Sequence, residues 1–227
     1  MAVSKAWDWG QGAAPIWLTP SEESYCCAQK WKEQGVRSVL DFGCGLGRHA
    51  VYFAKQGFAV SAFDLSEEGV DHLKKWAEEE NLSIDACVAD MMRLPYPDNR
   101  FDAAYLYHVI SHTDSAGIRA ILSELTRVLR PGGRVFLTLC SKESRSYRDA
   151  GYPKLDENTV VKTGGGPEDG IPHFYVSLDE IFPLLADYEI ERIRHTNDCY
   201  SGGSRLDSWH SLFYLRDSHK ITPDDLF

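Results

Sequence analysis

The chain has 227 residues, of which 43% are hydrophobic and 26% are charged, and its formal net charge is −10. This length and composition are sufficient for one domain with a sizeable core, and they indicate neither disorder nor a fibrous repeat. The acidic balance argues against a nucleic acid or an anionic membrane surface as the main partner, because both are themselves negatively charged.

Targeting and metal-binding patterns are missing from the sequence. Residues 1–10 lack a basic-then-apolar signal pattern, and no apolar run reaches the roughly 18 residues that a membrane helix needs. The six cysteines are scattered and none forms a Cys-x-x-Cys pair, so no zinc site is predicted. These features predict a cytoplasmic protein with buried thiols, no membrane partner and no bound metal.

Strand and helix signals alternate along most of the chain. Short apolar runs predict strands at residues 37–41, 58–63, 83–89, 101–107 and 134–139. Helical spacing of apolar residues predicts helices over 46–56, from a cap at Ser66 to about 80, and from a cap at Asp114 to a stop at Pro131-Gly132-Gly133. Strands that alternate with helices form a parallel sheet with helices on both faces.

Two segments interrupt this alternation. Residues 1–36 are predicted to be an N-terminal extension with a helix at about 21–34. The stretch at about 141–175 is too long for an ordinary connection, which predicts a substrate-side insert or lid.

The remaining sequence closes the predicted domain. It predicts a helix at 177–186 and two strands at 188–194 and 209–215. The two strands join at Gly202-Gly203, so the last strand is expected to be antiparallel, and 217–227 is a polar tail. The predicted fold over 37–216 is an α/β, Rossmann-like three-layer sandwich with a mostly parallel, seven-stranded sheet and an antiparallel C-terminal hairpin strand.

The turn after the first predicted strand is rich in glycine. Gly43, Gly45 and Gly47 alternate behind Asp41. A turn that lacks three side chains lets a ligand approach the backbone closely, and the acid favours a ligand with a positive or hydrogen-bond-donating group. The dinucleotide fingerprint Gly-x-Gly-x-x-Gly would place its third glycine at Arg48, so the spacing departs from that fingerprint.

Four segments together resemble the class I S-adenosylmethionine (SAM)-dependent methyltransferases. They are the acid-x-Gly-x-Gly-x-Gly turn at 41–47, Asp64 at the end of the second strand, Ala89-Asp90-Met91-Met92 with the following Phe101-Asp102, and Arg130-Pro131-Gly132-Gly133. Their order and spacing agree over roughly residues 37–140. The resemblance implies methyl transfer from SAM, with S-adenosylhomocysteine as the product.

The same resemblance implies roles for individual residues. The glycine turn would approach the methionine part of SAM, Asp64 would bind the ribose hydroxyls, and Asp90 with Met91 would hold the adenine. The implied cofactor-binding residues are Asp41, Gly43, Cys44, Gly45, Gly47, Arg48, Asp64, Leu65, Asp90, Met91, Met92, Tyr107 and His108.

Candidate acceptor-side residues follow the fourth and fifth predicted strands. Methyl transfer requires an acceptor atom held in line with the methyl group, and a base only where the acceptor must lose a proton. His112 and His173 are the candidate bases, and His173 stands beside Phe174 and Tyr175 as in a pocket wall. Each histidine also has an ordinary packing interpretation, which the sequence leaves open.

A second, looser resemblance is to the compact bacterial methyltransferases that include the tellurite-resistance enzymes. It is carried by the runs Gly45–Ala54, Gly57–Val60 and Gly170–Phe174. It implies a small-molecule acceptor, with an O, S or N nucleophile or a metalloid, and does not choose among them.

Three other functions stay open at this point. An NAD-dependent oxidoreductase would also need Gly43, Gly45 and Asp64, and a non-catalytic SAM-binding protein would keep the whole cofactor site. An aminopropyl transferase would need acids around an amine, and the sequence shows no clear set. The position of the third glycine, Asp90 and the Pro-Gly-Gly turn favour SAM over NAD.

Overall fold

The computed structural model describes residues 5–9, 15–166, 168–199 and 205–217, so the predicted Gly202-Gly203 turn and most of the predicted tail lie outside the described residues. The helices are α1 (Glu22–Glu33), α2 (Arg48–Lys55), α3 (Glu67–Glu79), α4 (Ser115–Val128), α5 (Arg145–Arg148) and α6 (Leu178–Leu184). The strands are β1 (Ser38–Phe42), β2 (Ala59–Asp64), β3 (Ile84–Val88), β4 (Phe101–Leu106), β5 (Leu129–Ser141), β6 (Lys154–Asp156), β7 (Thr159–Val161), β8 (Pro172–Val176), β9 (Tyr188–Glu189), β10 (Arg192–Cys199) and β11 (Arg205–Asp217).

The sheet is built outward from β1. Parallel pairing gives the order β3-β2-β1-β4-β5. Strand β11 then pairs antiparallel with β5 on one side and with β10 on the other. The resulting order, β3-β2-β1-β4-β5-β11-β10, confirms the predicted mostly parallel sheet with an antiparallel C-terminal strand.

Helices cover both faces of this sheet, as the alternation of elements requires. Val39 packs in a cluster with Trp31 of α1 and Phe53 of α2. The next residue, Leu40, points to the opposite face, into a cluster that includes Ile118 of α4. Each such fully buried side chain contributes roughly 1.5–3 kcal/mol relative to its exposed state.

The predicted stop of α4 at Pro131-Gly132-Gly133 is wrong. The helix ends at Val128, and these three residues lie inside β5. Leu129 is already extended, with φ −78° and ψ 147°, and pairs with Phe101 of β4. Because that pairing starts the strand early, the Pro-Gly-Gly segment becomes an irregularity in the β4–β5 register instead of a helix end.

The insert has more regular structure than the sequence predicted. Strands β6 and β7 form a hairpin, and β8 pairs antiparallel with β7. The end of β8 also pairs parallel with Cys140 and Ser141 of β5. Because side chains alternate along a strand, His173 and Tyr175 share one face of β8 and Phe174 takes the other.

The predicted N-terminal helix packs directly on the sheet. Trp31 of α1 is fully buried, with ring centroids 5.5 Å from Phe53 and 6.3 Å from Tyr105. In the part of the chain that the structure describes, none of the helices combines the length and the apolar character needed to cross a membrane.

Candidate active site

A cavity of about 990 Å³ opens at the carboxyl ends of the central strands. Gly43 follows β1, Asp64 ends β2, Tyr107 follows β4 and Cys140 lies near the end of β5, and all four line it. Parallel α/β sheets bind ligands at this edge. The volume lies near the top of the roughly 300–1,000 Å³ range of ligand pockets, so a cofactor and a small second molecule fit together.

The backbone conformation of the glycine loop, and its close contacts, require glycine at these positions. Gly43, Gly45 and Gly47 have φ values of 69°, 53° and 97°, a region that other residues adopt only at a cost. A Cβ on Gly43 would lie 2.1 Å from a methyl carbon of Val109, and one on Gly45 would lie 2.6 Å from the Trp9 ring. Gly47 lies outside the cavity lining, and a Cβ on it would lie 2.5 Å from a methyl carbon of Leu73 on α3.

Asp64 links the glycine loop to the start of α3. Its Oδ2 accepts a hydrogen bond from the Gly45 backbone N–H, and its Oδ1 accepts one from the Ser66 backbone N–H, both at 2.8 Å. Burial raises the pKa of the Asp64 carboxyl, and these backbone donors oppose the rise. Each oxygen keeps a second lone pair, so the carboxylate is able to accept ribose hydroxyls in addition.

Asp41 lies beneath the loop and outside the cavity lining. Its side chain is 1% exposed, and Oδ2 has no hydrogen-bond partner in the part of the chain that the structure describes. Burial raises the pKa of the Asp41 carboxyl to about 7, against a backbone hydrogen bond from Ala50 and the charge of Arg48. A cationic ligand group above the loop would favour the ionised form. This buried acid therefore fits a ligand such as SAM, which carries positive charge.

The predicted adenine-side residues divide into two groups. Leu65, Asp90 and Met91 line the cavity, as Cys44 does in the glycine loop. Met92 does not line it: its side chain packs against the hydrophobic core, while its backbone N–H donates to Asp90 Oδ1 over 2.8 Å.

Arg48 connects the N-terminal segment to the site. Its guanidinium donates to the backbone carbonyls of Ile16 and Thr19, at 2.7 and 3.3 Å. It also lies 5.5 Å from the ring centre of Trp17 and 5.3 Å from that of Tyr107, within range of cation–π attraction. Arg48 therefore lines the cavity and also holds the N-terminal segment over it.

Three tryptophans of that segment cover the cavity. The ring centroids of Trp7, Trp9 and Trp17 lie 5.6–5.7 Å from one another. Trp7 also stacks on His112, with centroids 5.8 Å apart. The sequence gives no local signal of the contact between Trp9 and Gly45, because that contact depends on how the N-terminal segment folds back.

Both predicted acceptor-side histidines line the cavity and lie next to each other. The ring centroids of His112 and His173 are 4.8 Å apart. His173 Nε2 lies 3.1 Å from Glu168 Oε1, and Lys162 pairs with the other carboxylate oxygen of Glu168. Sequence reasoning missed Glu168 and Lys162, since charged residues in a glycine-rich loop give no local signal of a shared site.

The neighbouring histidine, His108, is held at the cavity wall by its backbone. Its φ is 52°, and its N–H donates to Thr138 Oγ1 over 2.7 Å. Burial, with the charge of Arg48, lowers the pKa of His108 to about 4, so the ring is neutral near pH 7. A neutral ring at this place suits packing against a ligand.

A glycine turn after β1, an acid at the end of β2 and an antiparallel strand beside β5 define the class I methyltransferase fold. Residues 39–133 match the family model described as "Methyltransferase domain". This stretch of the chain is therefore similar to methyltransferase domains, in agreement with the resemblance to class I SAM-dependent methyltransferases that its motifs carry.

Individual relatives match only part of this chain and only part of their own length. The chain is 32% identical over 133 residues to the "S-adenosyl-L-methionine-dependent Diels-Alderase iccD" of Talaromyces variabilis, covering 56% of this chain and 45% of that protein. It is 34% identical over 137 residues to the malonyl-[acyl-carrier protein] O-methyltransferase of Salmonella typhimurium, covering 60% of this chain and 51% of the relative. The chain thus spans about half the length of these curated relatives.

A solved structure supports the second predicted resemblance at the level of the fold. TehB from Haemophilus influenzae superimposes with a TM-score of 0.63 at 17% identity, covering 87% of this chain and 62% of that one. At this identity the similarity shows the fold alone.

Proposed function

We propose that this chain is an enzyme that transfers the methyl group of SAM to a small-molecule acceptor. One observation carries the proposal. A single cavity is lined at one part by the glycine loop, Asp64 and Asp90, and at another by His112 and His173. A methyl donor and an acceptor would therefore share one cavity, as direct transfer between them requires.

The residues around the donor would bind and orient it. SAM, when bound, supplies a methyl group that its sulfonium has already made electrophilic. Asp64 would accept the ribose hydroxyls, and Asp90 with Met91 would hold the adenine. Asp41 in its ionised form, together with the backbone of Gly43 and Gly45 at the cavity wall, would favour the positively charged methionine part.

The acceptor-side residues would position the second substrate and manage its proton. Attack in line with the methyl group needs an acceptor lone pair, and orientation alone supplies several kcal/mol, up to roughly 7–11 in ideal cases. The two histidines, His112 and His173, are the residues proposed to handle the acceptor's proton. Trp7 and Trp9 would exclude water from the reacting atoms.

The shape of the site supports a small acceptor. The tryptophans of the N-terminal segment and residues of β8 line the cavity, and its volume of about 990 Å³ suits a cofactor with a small second molecule. The net charge of −10 also disfavours nucleic acid. The free thiols among the described side chains agree with a reducing cytoplasm; they are Cys26, Cys27, Cys44, Cys87 and Cys140.

Domain limits follow from the same contacts and are part of the proposal. Residues 1–36 would act as an extension that covers the cofactor, since Arg48 ties Ile16 and Thr19 to the site. The insert at 141–175 would shape the acceptor side, because it supplies Lys162, Glu168 and His173 to the cavity.

Methyl-labelled SAM provides the test. The purified chain is incubated with the label and a panel of thiols, hydroxylated metabolites, amines and metalloid oxyanions. The proposal expects labelled product and S-adenosylhomocysteine to form in equal amounts with at least one acceptor class. Asp64→Ala should lose this activity, and Asp71→Ala on the exposed side of α3 should keep it.

Other outcomes identify the competing functions. Binding of SAM with no transfer to any acceptor would contradict the proposal and favour a SAM-dependent protein of another activity, such as the one its Talaromyces relative is named for. Tight binding of NADH without binding of SAM would instead favour an oxidoreductase.

A further inference from the structure

We propose that His112, Glu168 and His173 bind a divalent transition-metal ion of the zinc class at the acceptor side of the cavity. Each residue offers one ligand atom, and these atoms all lie within 4.8 Å of one another. All three residues line the cavity. The sequence predicted no metal site, because the three residues come from two distant segments.

The ligand types fit zinc. Two histidines and one glutamate form the protein ligands of several catalytic zinc sites, which leave a further position open to water or substrate. In tetrahedral coordination, two atoms each about 2.0–2.1 Å from one ion lie roughly 3.3–3.4 Å apart. His173 Nε2 and Glu168 Oε1 are 3.1 Å apart, slightly closer than that, and the ligand atoms that lie up to 4.8 Å apart would have to move together when the ion binds.

The hydrogen bonds of His173 require a proton or a metal ion between its Nε2 and Glu168 Oε1. Its Nδ1 lies 3.0 Å from the Ile171 carbonyl oxygen, so Nδ1 must carry a hydrogen and donate it. A neutral imidazole then has only a lone pair at Nε2. That lone pair faces a carboxylate oxygen, Glu168 Oε1. The contact is favourable only if a proton or a metal ion lies between the two atoms.

Neighbouring groups fix the two rings in place. Trp7 stacks on His112 at 5.8 Å, and the Ile171 carbonyl orients His173. Such outer contacts orient metal ligands in known sites. Lys162 is the one opposing feature in this set, because its ammonium pairs with Glu168 and would compete with the metal.

Binding of the ion at this site does not depend on the proposed methyl transfer. Only the role of the ion in the reaction rests on that proposal. With the ion bound, His112 and His173 would act on the acceptor's proton through the metal instead of as bases, because an acceptor X–H at the open position would lose its proton to solvent more readily. The lone pair on X would form the new bond to the methyl carbon as the C–S bond breaks, and sulfur would keep the electron pair. The ion is neither oxidised nor reduced.

Metal titration without SAM tests the site directly. The chelator-treated full chain is titrated with Zn²⁺ by calorimetry and with Co²⁺ by visible absorption, with Mg²⁺ as a comparison. The expected result is one equivalent of Zn²⁺, d–d bands from Co²⁺, and no comparable binding of Mg²⁺. His112→Asn, His173→Asn and Glu168→Gln should each weaken Zn²⁺ binding about tenfold or more.

Two further variants make the test selective. His195 and His210 also have neighbouring rings, 4.6 Å apart, so His195→Asn is the matched control and should bind Zn²⁺ normally. Lys162→Gln removes the competing ammonium and should bind Zn²⁺ more tightly. An ion pair that only supports the fold predicts lower thermal stability in Lys162→Gln and no Zn²⁺ binding by the native chain.

The outcomes separate this inference from the proposed function. Failure of the native chain to bind Zn²⁺, or equal binding by the three ligand variants, would overturn the metal site while methyl transfer could still be observed. Binding of Zn²⁺ by a chain that binds no S-adenosylhomocysteine would support the metal site and contradict the methyltransferase proposal. Thermal melting of each variant shows whether it remains folded.

Discussion

The backbone N–H of Gly45 donates to Asp64 Oδ2 over 2.8 Å, so the glycine loop and the acid at the end of β2 form one structural unit. The second oxygen of Asp64 accepts from Ser66, which caps α3. A ligand that reaches Asp64 therefore contacts a carboxylate whose position is already fixed. Such preorganisation lowers the entropy that binding must overcome.

Replacing Asp64 is expected to weaken binding of both SAM and its product. Asp64→Asn removes the charge and leaves at most one side-chain oxygen for two backbone donors. Loss of hydrogen bonds to a charged group costs about 1.5–3 kcal/mol, so the dissociation constant should rise about tenfold or more. Calorimetry measures this. Asp71→Asn serves as the control, and unchanged affinity in Asp64→Asn would contradict the assigned role.

Asp41 should make the stability of the empty protein depend on pH. Burial raises its folded-state pKa to about 7, so its stabilising contribution is present in acid and is lost as pH rises through that value. Asp41→Asn lacks this loss. The melting temperature of the variant relative to the native chain should therefore rise from about pH 5 to about pH 9, by roughly 2–4 °C for each 1 kcal/mol. A constant difference over this range would contradict the assignment.

Asp41→Asn should also bind SAM more weakly than the native chain. An ionised carboxylate beneath the loop favours a cationic ligand, and an amide does not. In the native chain, affinity should fall as pH drops below about 7. The variant should show a smaller change over the same range, which calorimetric titration at several pH values measures. Identical pH profiles for the two proteins would show that the charge of Asp41 does not affect SAM binding.

The two glycines Gly43 and Gly57 distinguish steric contact from backbone strain. Both have positive φ, 69° and 90°, so alanine costs roughly 1–2 kcal/mol at either site. A Cβ on Gly43 would also collide with Val109, whereas nothing lies within 4 Å of one on Gly57. Gly43→Ala should therefore be less stable in thermal melting and lose SAM binding. Gly57→Ala should keep it, and equal effects would contradict the close approach.

Trp9 should report occupancy of the cofactor site. Its ring lies close enough to Gly45 that a ligand near that backbone must contact or move it. Titration with S-adenosylhomocysteine should change the intrinsic fluorescence, and Trp9→Phe should remove most of that change. Trp76→Phe, on α3 away from the cavity lining, should retain it. A full signal in Trp9→Phe would place the ligand elsewhere.

The sequence predicted the central sheet, and it placed candidate cofactor residues at the strand ends, because these signals are local. The glycines, the acids at strand ends and the caps at Ser66 and Asp114 each lie within a few residues of the element they define. The structure confirms both caps: Ser66 Oγ accepts from Gly69, and Asp114 accepts from Ala116 and Gly117.

The acceptor side could not be predicted in the same way. Glu168 meets His112 only because β7 and β8 fold the insert back beside β5. Likewise, the early start of β5 depends on Leu129 pairing with Phe101, which lies on a different strand. Local composition does not reveal pairings between distant segments, so strands β6, β7 and β8 and the end of α4 at Val128 were not predicted.

Calorimetric titration of the purified chain with S-adenosylhomocysteine tests the central claim most directly. The account predicts one equivalent bound with micromolar-range affinity, a weaker response in Asp64→Asn, and no saturable binding of NADH. A folded chain that binds neither SAM nor S-adenosylhomocysteine would contradict it.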